Sequence, residues 1–172
     1  MAIWKMFETT ECDATTALKT SWLAVGITLI VIALMVGLCY YRILPFSPWQ
    51  EEQRIIVRTL GYITGIVLLP LTNLLRFVLL RLCQTMPISK TSARINAQTR
   101  YAVAISRYFK VNVLTLSLMM MISLLGVGLY SVGDALNTLI ILTGMACLGV
   151  YLYRPKASEF IAIAEELAEQ GK

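Results

Sequence analysis

The chain has 172 residues, 58% of them apolar and only 15% charged, with a formal net charge of +5 and no histidine. Soluble domains are about half apolar and about a quarter charged, so this composition excludes an ordinary soluble domain. The lack of histidine excludes His-based triads, His-liganded metals and ordinary haem sites. The apolar excess lies in blocks, which points to an all-α integral membrane protein.

The first block, Thr20 to Tyr41, has no charged residue between Lys19 and Arg42. A bilayer core takes about 20 apolar residues in a helix. The preceding segment, 1–19, carries Glu8, Glu11 and Asp13 beside only Lys5 and Lys19. That is a poor basic leader, so the span reads as a retained anchor rather than a cleaved signal. Ala33 and Gly37 form a small-xxx-small pair on it, the spacing that lets helix backbones approach in lipid.

Next comes the clearest start signal in the chain, Ser47-Pro48-Trp49-Gln50, a cap residue followed by proline and a glutamine that can reach back. Glu51 and Glu52 then complement the positive helix end. The predicted helix runs from Pro48 to about Cys83, roughly 54 Å at 1.5 Å per residue, with the membrane span at about 59–82. Gly61 and Gly65 are packing candidates in its first half. Pro70 should kink it, and Asn73, with Thr64, is a candidate for a pore wall or a partner contact. Arg58 and Arg76, 18 residues apart, each suit one membrane interface.

The connection 84–110 is basic, with Lys90, Arg94, Arg100, Arg107 and Lys110, and no acid lies between residues 53 and 133. Helical spacing puts Tyr101, Ile105, Tyr108 and Phe109 on one face and Arg100, Arg107 and Lys110 on the other. This segment is predicted as a helical extension of the third span, 111–133, facing anionic lipid or a protein partner. No nucleic-acid reading module accompanies the charges. After the Gly133-Asp134 turn the fourth span is 135–153, with Gly144 as a small packing residue. Leu118-Met119-Met120-Met121 reads as polarizable packing material, since copper transport would need histidines or clustered cysteines.

Pro155 should end the fourth helix and open an amphipathic one over 154–172, with Phe160, Ile163 and Leu167 on its apolar stripe. That stripe is predicted to pack on the Arg100–Lys110 region or on another chain. Arg94, Arg100, Arg107, Lys110, Phe160, Ile163 and Leu167 are the expected contacts to lipid or a cytoplasmic partner.

Four spans as two hairpins follow, with both termini and the basic connection cytoplasmic under the positive-inside rule, in what resembles a small bacterial inner-membrane protein. Arg42, Arg54 and Arg58 in the first hairpin are the awkward residues for that orientation. The spans hold no Asp or Glu, and no cofactor or metal is expected. The reading favoured by these features is a non-catalytic subunit of a membrane assembly, homo-oligomeric or with other membrane subunits. It would serve in a secretion, conjugation or envelope machine, or as a sensor recruiting a soluble partner. The alternative is a homo-oligomeric channel.

Overall fold

The computed structural model describes residues 2–41, 49–86 and 97–169, with side chains over 18–41, 49–86 and 102–166. Five helices account for them: α1 (Ala2–Tyr40), α2 (Glu51–Thr85), α3 (Ala97–Ser131), α4 (Leu136–Leu152) and α5 (Ala157–Glu169). No strand occurs among the described residues, so the all-α class holds.

Three helices are long and apolar enough to cross a bilayer, within Leu18–Tyr40, Glu51–Thr85 and Ala102–Ser131. A fourth crossing is counted only if α4 and α5, bent by 50° at their junction, form one span. α4 has 17 residues, about 26 Å of helix, a little short of a bilayer core of about 30 Å. It stops where Tyr153 caps it by an N–H bond to Gly149 O at 2.9 Å, two residues before Pro155.

α2 begins at Glu51, with Arg54 N–H bonded to Gln50 O at 3.1 Å, so the acids occupy its first turn. Ser47 and Pro48 of the expected cap lie outside the described residues. The helix runs through Pro70 without a break. Proline supplies no N–H to the carbonyl four residues back. Near that gap the Thr72 hydroxyl donates to Leu68 O at 2.7 Å and the Tyr153 hydroxyl to Leu69 O at 3.0 Å.

Two compact units divide the chain. The first comprises Met1–Ala24, Leu75–Leu114 and Pro155–Lys172; the second comprises Val25–Leu74 and Thr115–Arg154. In the second unit, α1 buries Val25, Thr28, Ile32 and Cys39, a helical stripe. α3 and α4 join through a tight turn in which Gly133 takes φ 98°, a left-handed value that disfavours any side chain. Asp134 N–H closes this turn on Leu129 O at 3.1 Å.

Glycines set how closely these helices approach. A Cβ on Gly61 would lie 2.7 Å from Leu129 Cδ1, and one on Gly65 would lie 3.0 Å from Leu142 Cδ2. Gly149 holds the fully buried Met119 sulfur. In the first unit the core is Ala104 and Tyr108 of α3 with Phe160 and Ile163 of α5. Leu80, Cys83, Ile105 and Ala164 pack around it.

Candidate functional site

Polar side chains gather at two places, one in each unit. In the first unit, the residue that leads into α5 is held by Tyr108. Its hydroxyl donates to Lys156 O at 3.0 Å and accepts from Lys156 N–H at 2.9 Å. The Tyr108 ring stacks edge-on against Phe160, with centroids 5.9 Å apart. This seating brings Glu159 to Arg76, whose Nη2 donates to Glu159 Oε2 at 2.6 Å. The Arg76 side chain is only 6% exposed, so its counter-ion comes from a helix 83 residues further along the chain. Asn112, one turn from Tyr108 on α3, donates to Ser21 Oγ of α1 at 3.3 Å. Arg107 caps the end of α2, donating to Cys83 O and Met86 O at 2.9 Å each.

The second place is a ladder between α2 and the α3–α4 turn. Trp49 N–H bonds Val132 O at 3.1 Å, Arg54 Nη1 bonds Gly133 O at 2.9 Å, and Arg58 Nε bonds Asp134 Oδ2 at 2.9 Å. Arg58 Nη2 completes a fork on Asp134 Oδ1, and the Tyr62 hydroxyl reaches Thr138 Oγ1 at 3.3 Å. Burial by itself pushes the Asp134 carboxyl up. The Arg58 fork, the Ala135 N–H, the Thr138 hydroxyl and the Arg58 charge outweigh it and hold the group below its ordinary value. Residues 54, 58 and 62 repeat every fourth position, one stripe of a helix. That spacing, with Asp134 as the lone acid between two apolar runs, was the signal available in the sequence; Arg54 was expected only as part of a charge count and Arg58 as an interfacial anchor.

The structure separates the expected pore-wall residues. Thr64, Pro70 and Asn73 are all exposed on α2. Thr64 and Asn73 are nine residues apart, half a turn out of phase, so they project on opposite sides of the helix. Among the packing candidates, Gly61 and Gly65 hold neighbouring side chains, whereas Gly37 and Gly144 meet nothing and Ala33 is exposed. Gly126 and Gly149 receive neighbours instead, because they face α4 and α3. Ala33 and Gly37 line a shallow groove of about 430 Å³ along α1, walled by Ile30, Leu34, Leu38 and Tyr41.

The expected cytoplasmic contacts also divide. Phe160 and Ile163 pack on Ala104 and Tyr108, the first of the two placements expected for the α5 stripe, and are buried there rather than presented to lipid or a partner. Arg107 is engaged by two carbonyls, and Lys110 is exposed. Arg94 lies outside the described residues, as do the side chains of Arg100 and Leu167. Comparison with protein-family models, with curated proteins and with solved structures returns no match for this chain.

Proposed function

We propose that this chain is a non-catalytic, polytopic subunit of an oligomeric membrane assembly, with four spans and with both termini and the basic connection on the cytoplasmic side of a bacterial inner membrane. The observation that carries it is the small-residue surface left open on apolar helices. Inside the chain, Gly61, Gly65, Gly126 and Gly149 each accept a neighbour's side chain, while Gly37 beside Ala33 on α1, and Gly144 on α4, accept none. In lipid, close helix approach at such residues is a main source of association. Among the described residues the buried charged groups are paired internally, Arg76 with Glu159 and Asp134 with Arg58, which suits a scaffold more than a transport path.

The orientation gains support from the ladder on α2. Arg54 and Arg58 are bound to the α3–α4 turn, so they have a packing reason to lie on the side that carries fewer basic residues. The channel reading has less behind it, because no single face of α2 presents both Thr64 and Asn73.

Extraction in mild detergent, sizing of the particle and flux measurement in liposomes test the proposal. A particle larger than one chain without ion flux supports the subunit. A closed homo-oligomer that conducts would replace it with the channel, and a monomer without partners would remove both.

A further inference from the structure

In the first unit every element contributes one exposed cation that no described acid pairs: Lys19 on α1, Arg81 on α2, Lys110 on α3 and Lys156 at the entry to α5. Bonds within the unit place them in one narrow band. Lys19 and Lys110 each stand two residues before a partner of the Ser21–Asn112 hydrogen bond, about 3 Å along their helices. Lys156 is bonded through its backbone to Tyr108, one turn from Asn112. Arg81 follows Leu80, which packs on the cluster containing Tyr108 and Phe160. Beyond Lys19 the chain has no charge until Arg42, and beyond Lys110 none until Asp134. Back along α2 from Arg81, Arg76 is already satisfied by Glu159. On the first three apolar runs the band therefore marks where unpaired charge first appears.

Each cation on a long helix also stands within a turn of exposed apolar side chains. Trp22 and Leu23 follow Lys19, Val113 and Leu114 follow Lys110, and Phe77, whose ring lies under the Arg81 guanidinium at 5.7 Å, precedes Arg81. A cation beside an apolar surface matches a molecule with an anionic head and hydrocarbon tails better than it matches a polar acidic protein. Among the residues whose side chains are described, the exposed acids of this unit, Glu165 and Glu166, lie about 13 Å or more along α5 from Lys156, too far to neutralise it.

We infer that Lys19, Arg81, Lys110 and Lys156 form a belt that binds the phosphate headgroups of anionic phospholipids. The belt rests on the membrane reading above and names the lipid class it selects. It keeps Lys110 from the contacts expected from sequence and leaves out Arg107, which is engaged by backbone carbonyls.

The full-length chain reconstituted in nanodiscs of phosphatidylcholine, with or without phosphatidylglycerol, tests it by lipid retention in native mass spectrometry and by thermal unfolding. Wild type should retain phosphatidylglycerol preferentially and unfold at higher temperature in its presence. A basic residue beside an anionic leaflet is worth about fivefold in binding, so each of K19Q, R81Q, K110Q and K156Q should weaken the preference by about that factor. The quadruple variant should abolish it, and K19R/K110R/K156R should keep it. Equal retention of the two lipids by wild type, or an unchanged preference in the neutral variants, overturns the belt. If the quadruple variant does not fold, the four single variants decide the question. Failure of wild type to enter either disc overturns the membrane reading, and the belt with it.

Discussion

Removing either member of the Arg58–Asp134 pair breaks the same fork, yet the two losses should differ. Asp134 is enclosed, its side chain 1% exposed, whereas the Arg58 side chain is 38% exposed. Asp134→Asn leaves a guanidinium that can turn to water, and the new amide oxygen still accepts the Ala135 N–H. The cost is about 1–2 kcal/mol once the exposure of Arg58 is allowed for. Arg58→Leu instead strands a carboxylate in an enclosed turn, a loss of about 3–5 kcal/mol. For a chain of this size about 2–4 °C accompanies each kcal/mol, so thermal unfolding in detergent should fall by about 6–20 °C for Arg58→Leu and by a few degrees for Asp134→Asn.

The pH dependence should also differ. In the wild type the Asp134 carboxyl is held below its ordinary value. The pair's stabilisation is therefore present at and above the ordinary carboxylate range and is lost as pH falls through the lowered folded value. In Arg58→Leu the guanidinium is gone and burial is opposed only by the Ala135 N–H and the Thr138 hydroxyl, so the same carboxyl titrates higher than in the wild type. Acidification then lets the buried acid take up a proton, and the variant's deficit should shrink where the wild type gains nothing. Equal losses for the two variants, or a deficit independent of pH, would refute the argument that the enclosed carboxylate sets the cost.

Three further outcomes follow. Gly149→Ala should cost about 1–3 kcal/mol because its Cβ would collide with the buried Met119 sulfur, while Gly144→Ala, which meets nothing in the isolated chain, should leave detergent stability unchanged; thermal melts of the two decide it. Glu159→Gln should destabilise by about 1.5–3 kcal/mol by removing the carboxylate to which Arg76 donates, whereas Arg76→Leu with Glu159→Leu should recover most of that loss; an additive double variant would contradict the pairing. Reporter fusions at Gln98 and at Lys172 should report the same, cytoplasmic side, and opposite sides would break the four-span topology.

The apolar runs and their length were legible because bilayer thickness imposes a requirement on consecutive residues. The fourth run shows where that reasoning runs short. The charge-free stretch extends from 135 to 153, yet the α4 helix occupies only Leu136–Leu152, since the turn at Gly133–Asp134 and the stop before Pro155 each take residues from it. Which small residues become seats was not legible. Gly61 and Gly144 look equivalent in sequence, and only the rotation of each helix decides that one meets Leu129 and the other meets nothing. The α5 stripe was legible as amphipathic from its spacing, but whether Phe160 and Ile163 serve this chain or another depended on the position of Tyr108 and Ala104, a tertiary fact.

Charge placement ties these cases together. An arginine inside an apolar run reads, locally, as an interfacial anchor, and Arg76 was expected to be one. Its exposure of 6% and its bond to Glu159 show a different solution, in which the charge is enclosed and neutralised from a remote helix. Arg58, expected at the other interface, is likewise engaged by an acid 76 residues away. In both, the partner lies in a segment that reads as unremarkable alone: a lone aspartate in a turn, or one glutamate among several on an amphipathic helix. Local rules for lipid-exposed charge therefore leave Lys19, Arg81 and Lys110 to the belt proposed above, and they miss the acids that engage Arg58 and Arg76 from further along the chain.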